Sequence, residues 1–176
     1  MNSSYLDSLK IKNEIRIEMV CLGNICRSPM AAAVLHNKSK SVENPRFTVS
    51  SSGTSGWHEG EGPNPNSLKV WQSVGYEYDH ISRPFSTSVF DESDLILAMD
   101  LTNRANILNV ARTAAEREKV MMLRSFDPAL AHLVVTAPEA ESLQVPDPWG
   151  QDIAAYREVF EMIEAATDGL INYFKS

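Results

Sequence analysis

Cysteine is nearly absent from the 176-residue chain: only Cys21 and Cys26 occur, five positions apart. Two such thiols cannot frame a disulfide-stapled fold, and unpaired thiols fit a reducing compartment. Long apolar runs are missing too; none approaches the roughly 20 residues of a membrane span. The opening Met1-Asn2-Ser3-Ser4-Tyr5-Leu6 has no apolar signal core, so a cytoplasmic protein with no membrane partner is expected. Basic residues are in the minority, 16 Lys and Arg against 23 Asp and Glu, for a net charge of −7. With no basic stripe, nucleic acid is not expected as a partner. Histidine and cysteine lack metal-site spacing, so neither a metal nor another cofactor is expected.

What remains is the composition of an ordinary globular domain, 43% apolar and 22% charged, long enough for one real core. The chain is organised around Val20-Cys21-Leu22-Gly23-Asn24-Ile25-Cys26-Arg27-Ser28-Pro29. The alternation Ile15-Arg16-Ile17-Glu18-Met19 before it reads as a strand, over about 14–20. Residues 30–38 after it read as a helix, with Ser28 as N-cap and Pro29 at the first helical position. A helix N-terminus is a ready anion site, above all for phosphate. Gly23-Asn24 tolerates positive φ, so the loop can curl and aim the amides of residues 22–27 inward. Arg27 opposes the helix dipole unless an anion lies between them, gripped by the guanidinium. The same positive field stabilises a Cys21 thiolate, a nucleophile placed beneath a bound phosphate.

Further along, residues 46–50 read as a second strand, followed by the Gly/Ser loop Ser51-Ser52-Gly53-Thr54-Ser55-Gly56-Trp57-His58, with His58 a solvated loop residue. Pro63-Asn64-Pro65-Asn66 sets up a helix with Leu68, Trp71 and Val74 on its packing face and Gly75 at its end. Residues 76–90 read as irregular. Residues 94–99 form a nearly continuous apolar run, as suits a strand buried on both faces, and Asp100 caps a helix over 101–110. Residues 119–123 are a fourth strand, 126–145 broken helix or loop, and 152–174 a long helix with a packing face. Successive βα units give a parallel sheet in a single doubly wound α/β domain with right-handed crossovers. Its extent is 14–176; residues 1–13 are a flexible tail or a short extra helix. The Pro-Asp-Pro of Val145-Pro146-Asp147-Pro148-Trp149-Gly150 fixes a loop. A departing phenolate leaves better protonated, and Asp147 is the candidate acid.

The Cys21 stretch resembles the phosphate-binding loop of the low-molecular-weight protein tyrosine phosphatases. Ser51 to His58, Asp94-Leu95-Ile96-Leu97-Ala98-Met99-Asp100 and Val145 to Gly150 match that family in chain order. The resemblance implies a four-stranded parallel sheet of order 2-1-3-4, flanked by helices, and a two-step hydrolysis through a phosphocysteine. Cys21, Arg27 and Asp147 would be catalytic, with Leu22, Gly23, Asn24, Ile25, Cys26 and Ser28 binding phosphate. It also implies that Ser51, His80 and Asp100 brace the loop and that Trp57 and Trp149 flank the substrate. Two positions depart from the family pattern: Ala32 stands where a Glu is usual, and Gly150 where a second aromatic commonly follows.

The expected partner is a phosphotyrosine protein or an aryl phosphate, with phosphate and other oxyanions as inhibitors. Ser28 is expected to donate to the Cys21 sulfur. Cys26 is either a small buried residue or a redox partner able to trap oxidised Cys21 as a disulfide. Related arsenate reductases need a further downstream cysteine, and none follows Cys26. Relatives acting on phosphoarginine carry Thr where this chain has Ile25, whose apolar side chain cannot bond a guanidinium. A non-catalytic phosphoprotein-binding module is the alternative from outside enzymology, and retention of Cys21, Arg27 and Asp147 together argues against it.

Overall fold

The computed structural model of the protein describes residues 3–175. In chain order the elements are α1 (Ser3–Leu9), β1 (Glu14–Cys21), α2 (Arg27–Lys38), β2 (Arg46–Gly53), α3 (Pro65–Ser73), α4 (Ser88–Glu92), β3 (Leu95–Ala98), α5 (Leu101–Val110), α6 (Ala114–Glu118), β4 (Val120–Met122) and α7 (Ile153–Lys175). Two 3-10 turns, Leu123–Phe126 and Pro138–Leu143, lie between β4 and α7. All strand pairs are parallel and the sheet order is β2-β1-β3-β4, the order that the resemblance implies. The order reverses direction between β1 and β3, so ligands are expected above the carboxyl end of β1.

Strand alternation splits the core in two. Ile15, Ile17, Met19, Leu95, Leu97 and Met121 enter a larger cluster with α2, α3 and α7. Val20, Ile96, Ala98, Val120 and Met122 point the other way, onto Val89, Phe90 and Ile107 of α4 and α5. β3 is therefore apolar on both faces, as suits a doubly wound sheet, whereas β1 is apolar on one face and carries Arg16 and Glu18 beside Val20 on the other. Met30 to Leu35 of α2 are wholly buried, and its run of three alanines, Ala32 included, lets the helix lie close to its neighbours. Of the two readings for the segment before β1, the helix forms, with Leu6 and Leu9 inside the larger cluster. Among the described residues, no helix is long and apolar enough to cross a membrane.

Several local expectations are corrected. The helix after the cysteine loop begins at Arg27 with Cys26 as its cap residue, so Ser28 is not the N-cap and Pro29 stands third. The reason is that the Ser28 hydroxyl is engaged with Cys21 and Asn24. Pro29 remains harmless there, because the first turn has N–H groups without intrahelical acceptors. The second strand runs on through Gly53, so Ser51 and Ser52 are sheet residues rather than loop residues. Val74 is half exposed instead of packed, α4 interrupts the stretch read as irregular, and α6 was not anticipated. Short helices such as these carry too few turns to show periodicity.

Gly169 sits inside α7 where a Cβ would fall 1.8 Å from the carbonyl oxygen of Phe126. Glycine in a helix ordinarily costs stability relative to alanine, but here it permits the approach of two backbones. We expect Gly169→Ala to destabilise the protein by about 1–3 kcal/mol, as overpacking does. Urea midpoints of the two proteins check the sign, which is opposite to that of a solvent-facing helical glycine.

Candidate active site

The turn from β1 into α2 is shaped by Asn24, whose φ of 56° makes it the one non-glycine residue with positive φ among those described. Gly23 does not share that conformation, contrary to expectation; its lack of a side chain instead admits the His58 ring, 3.1 Å from where a Cβ would lie. Asn24 is held from every side. Its Nδ2 donates to Ser28 Oγ (2.8 Å) and Ser51 Oγ (3.0 Å), and its Oδ1 accepts from Arg83 N at 2.9 Å. Its carbonyl accepts from Ser82 Oγ (2.6 Å) and from His80 Nε2 (2.7 Å). So fixed, the loop sends the Asn24 N–H to Cys21 Sγ at 3.3 Å. Ser28 Oγ lies 3.0 Å from the same sulfur and accepts from Asn24, which leaves its own proton for the sulfur. Two donors therefore converge on the Cys21 sulfur.

The supports form a second layer. With Nε2–H of His80 given to Asn24, Nδ1 is the acceptor for Ser51 Oγ at 3.4 Å. Burial lowers the His80 pKa below its ordinary value, against the opposing backbone bond to Asn24, so the neutral ring is favoured. Behind it, Arg83 donates to both carboxylate oxygens of Glu18, at 2.9 and 3.0 Å, and to Ser51 O at 3.2 Å. Glu18 is only 1% exposed, a polar position of the β1 alternation that is nonetheless covered. Neither Glu18 nor Arg83 stood out in the sequence. The available signal was a lone acid in a strand covered on both faces, which requires a buried cation.

Arg27 is buried and has its own scaffold. Nη1 donates to Asp100 Oδ2 at 2.7 Å and to Val145 O at 3.0 Å, and Nη2 lies 3.5 Å from Asp147 Oδ2. Burial by itself lowers its pKa, but Cys21, Asp100 and Asp147 more than compensate and raise it. Asp100 uses its other oxygen to cap α5, accepting from Asn103 N at 2.6 Å, so it joins the helix to the guanidinium. Val145 N donates to Met99 O at 2.7 Å, which ties the Asp147 loop to the end of β3. The Nε of Arg27 is buried without a protein partner. A buried cationic donor left open in this way calls for an anion.

These groups line one cleft of about 200 Å³, with Cys21, Leu22, Ile25, Arg27, Trp57 and Asp147 among its walls. Trp57 and Trp149 are 75% and 64% exposed, so both rise beside the opening and neither plugs the core beneath it. His58 also lines the cleft, its Nδ1 2.7 Å from Glu61 Oε2, which corrects the expectation of a merely solvated residue. Cys26 is buried, with Sγ 3.6 Å from Tyr156 Oη, and both cysteines are free. Burial pushes the Cys26 thiol up to about 11, with the Tyr156 hydrogen bond opposing. At neutrality Cys26 is therefore a thiol. Among the described residues there is no group of three or more His, Cys, Asp or Glu side chains placed to hold a metal.

Comparison with known proteins follows this geometry. Residues 16–176 match the family model of the low molecular weight phosphotyrosine protein phosphatases. A low molecular weight protein-tyrosine-phosphatase of Streptomyces coelicolor is 40% identical over 157 residues, covering 89% of this chain and 91% of that one. A protein tyrosine phosphatase of Entamoeba histolytica, solved with Hepes in its active site, superposes with TM-score 0.79 at 31% identity, over 92% of this chain and 97% of that one. The YwlE arginine phosphatase of Geobacillus stearothermophilus superposes with TM-score 0.75 at 28% identity, over 92% and 93%.

The buried neutral His80 gives the loop a pH limit. Its folded pKa lies below the unfolded value of about 6.5, so its contribution is complete above that value and is lost as pH falls toward the folded pKa. Urea unfolding of wild type and His80→Gln should show their stability difference narrowing from pH 8 toward pH 5. A difference independent of pH would contradict the buried neutral state.

Proposed function

The chain belongs to the low molecular weight phosphotyrosine protein phosphatase family of cysteine-dependent hydrolases, and we propose that it hydrolyses phosphotyrosine and aryl phosphates through a phosphocysteine on Cys21. The observation that carries this reading is Arg27, fixed by Asp100 and Val145 on one side while its buried Nε has no protein partner in the wall of the cleft. A phosphate dianion supplies that partner and accepts from the amides of residues 22–27.

In the first step the Cys21 thiolate attacks phosphorus in line. The bond from phosphorus to the aryl oxygen breaks, and the leaving oxygen takes the proton of Asp147. The transition state is loose, so fixed donors around the equatorial oxygens supply most of the acceleration. Arg27, as a charged group 3.5 Å from Asp147, holds the carboxyl beside the reacting centre. In the second step the Asp147 carboxylate takes a proton from water, which attacks the phosphocysteine. The phosphorus–sulfur bond breaks, and Ser28 and the Asn24 N–H receive the returning thiolate. Phosphate is the product, and it and similar oxyanions are competitive inhibitors. Trp57 and Trp149 flank the aryl ring. With Cys21 and Cys26 both free, we place the enzyme in the reducing cytoplasm.

Arginine phosphatases share the fold, which makes phosphoarginine the second substrate to weigh. Ile25 lines the cleft and has no atom able to accept from a guanidinium, which favours the aryl substrate. An arsenate reductase mechanism lacks its further thiol, since no cysteine follows Cys26.

Cys21→Ser should abolish hydrolysis of p-nitrophenyl phosphate while phosphate still binds, as calorimetry can measure. Asp147→Asn should lower kcat by about 10²- to 10⁴-fold on phosphotyrosine, and by less on p-nitrophenyl phosphate, whose leaving group needs a proton less. Faster release of phosphate from phosphoarginine than from phosphotyrosine peptides would favour the second substrate, and wild-type turnover by Cys21→Ser would refute the nucleophile.

A further inference from the structure

Among the described residues, six of the nine arginines lie within ion-pair distance of a carboxylate, and Arg104, Arg117 and Arg157 do not. Arg157 stands exposed on α7. The other two line the same cavity, together with Val120, Met121, Met122, Ser125 and Val135. Glu118 also lines it, but neither arginine is within ion-pair distance of that carboxylate. At about 300 Å³ the cavity is larger than the catalytic cleft of about 200 Å³.

Three features make it more than a surface depression. First, Arg104 is half-buried without an acid, and its pKa is lowered by burial alone. Taking a cation out of water without a counter-charge is costly, so an anion from outside is the natural complement. Second, all three residues of β4 line the cavity, and β4 is the outermost strand on its side of the sheet. They are only 0–5% exposed, so they give the cavity an apolar floor and no free strand edge. Third, Arg104 is one turn from Asp100 in α5, its N–H bonded to the Asp100 carbonyl, which is about 6 Å of helix rise. Asp100 itself holds Arg27, so a chain leaving the catalytic cleft has only a short distance to cover.

We propose that this cavity is a docking groove for an acidic stretch of the protein substrate, whose carboxylates meet Arg104 and Arg117 above the apolar floor of Val120–Met122. The groove lies apart from the loop that binds the phosphoryl group, and in a chain of net charge −7 it is a local exception that selects acidic partners by sign. The apolar lining receives the methylene stems of Glu or Asp neighbours, and the two guanidinium groups receive their charges. The word substrate rests on the phosphatase reading; the groove and its ligand do not.

Two measurements on the full chain test this. Fluorescence anisotropy of a labelled Glu-rich peptide without tyrosine, at low salt, should report binding. That binding should weaken by about fivefold or more in the Arg104→Met/Arg117→Met double variant and stay unchanged in Arg157→Met. No binding, or an equal loss in Arg157→Met, overturns the proposal, as does binding of inorganic phosphate by the groove in place of the peptide. In kinetics, phosphotyrosine peptides carrying a Glu block at increasing distances on either side should include one spacing whose KM falls about fivefold at unchanged kcat. The double variant should lose that gain and keep wild-type turnover of p-nitrophenyl phosphate. Absence of the gain at every spacing overturns docking of the substrate. Failure of the wild type to hydrolyse p-nitrophenyl phosphate would instead count against the phosphatase reading, and the anisotropy would still decide the groove.

Discussion

Asn24 in its left-handed conformation is the constraint on which the site rests. A non-glycine residue resists that conformation by roughly 1–2 kcal/mol, least of all asparagine. Here the cost is met by hydrogen bonds to Ser28, Ser51, Arg83, Ser82 and His80, which use all of its side-chain atoms able to bond and its carbonyl. The turn sends one amide to the Cys21 sulfur and orients Ser28 toward the same atom. Donors set before substrate arrives need no reorganisation during the reaction, which is where their catalytic value lies.

The constraint reaches into the sheet. Glu18 on β1 holds Arg83, Arg83 holds Asn24 and Ser51, and Ser51 is a β2 residue paired in register with Met19. Gly53, opposite Cys21, has no room for a side chain, since a Cβ would lie 2.7 Å from Leu22 O. The phosphate loop is thus clamped between two neighbouring strand ends. On the far side Arg27 is clamped independently by Asp100 and Val145, from the ends of β3 and of the Asp147 segment. Two separate supports thus set the position of the sulfur and of the guanidinium.

Much of this was legible along the chain. The cysteine loop is local: thiol, turn residues, arginine and helix start fall within ten positions, and each carries its own chemical signature. The alternation of β1, the apolar run of β3 and the period of α7 announced themselves for the same reason. Element edges were less legible. Ser28 looked like a helix cap because serine ordinarily caps, but a sulfur and an amide compete for its hydroxyl and α2 starts at Arg27, two residues before Pro29. Glu18 is buried although it is a polar position of the β1 alternation, because this sheet has helices on both faces.

The sequence by itself determined which groups are the candidates for the chemistry, because a thiol, a guanidinium and a proline-flanked carboxyl are properties of single residues and short spacings. Tertiary structure alone decided how they meet. Arg27 and Asp147 are brought to 3.5 Å across most of the chain, and Glu18 finds Arg83 only after the strands are stacked. The physical reason is that hydrophobic periodicity specifies which face of an element is buried. It does not specify the distant polar partner waiting on that face, and once water is excluded the partner decides whether a buried charge or a left-handed turn can persist.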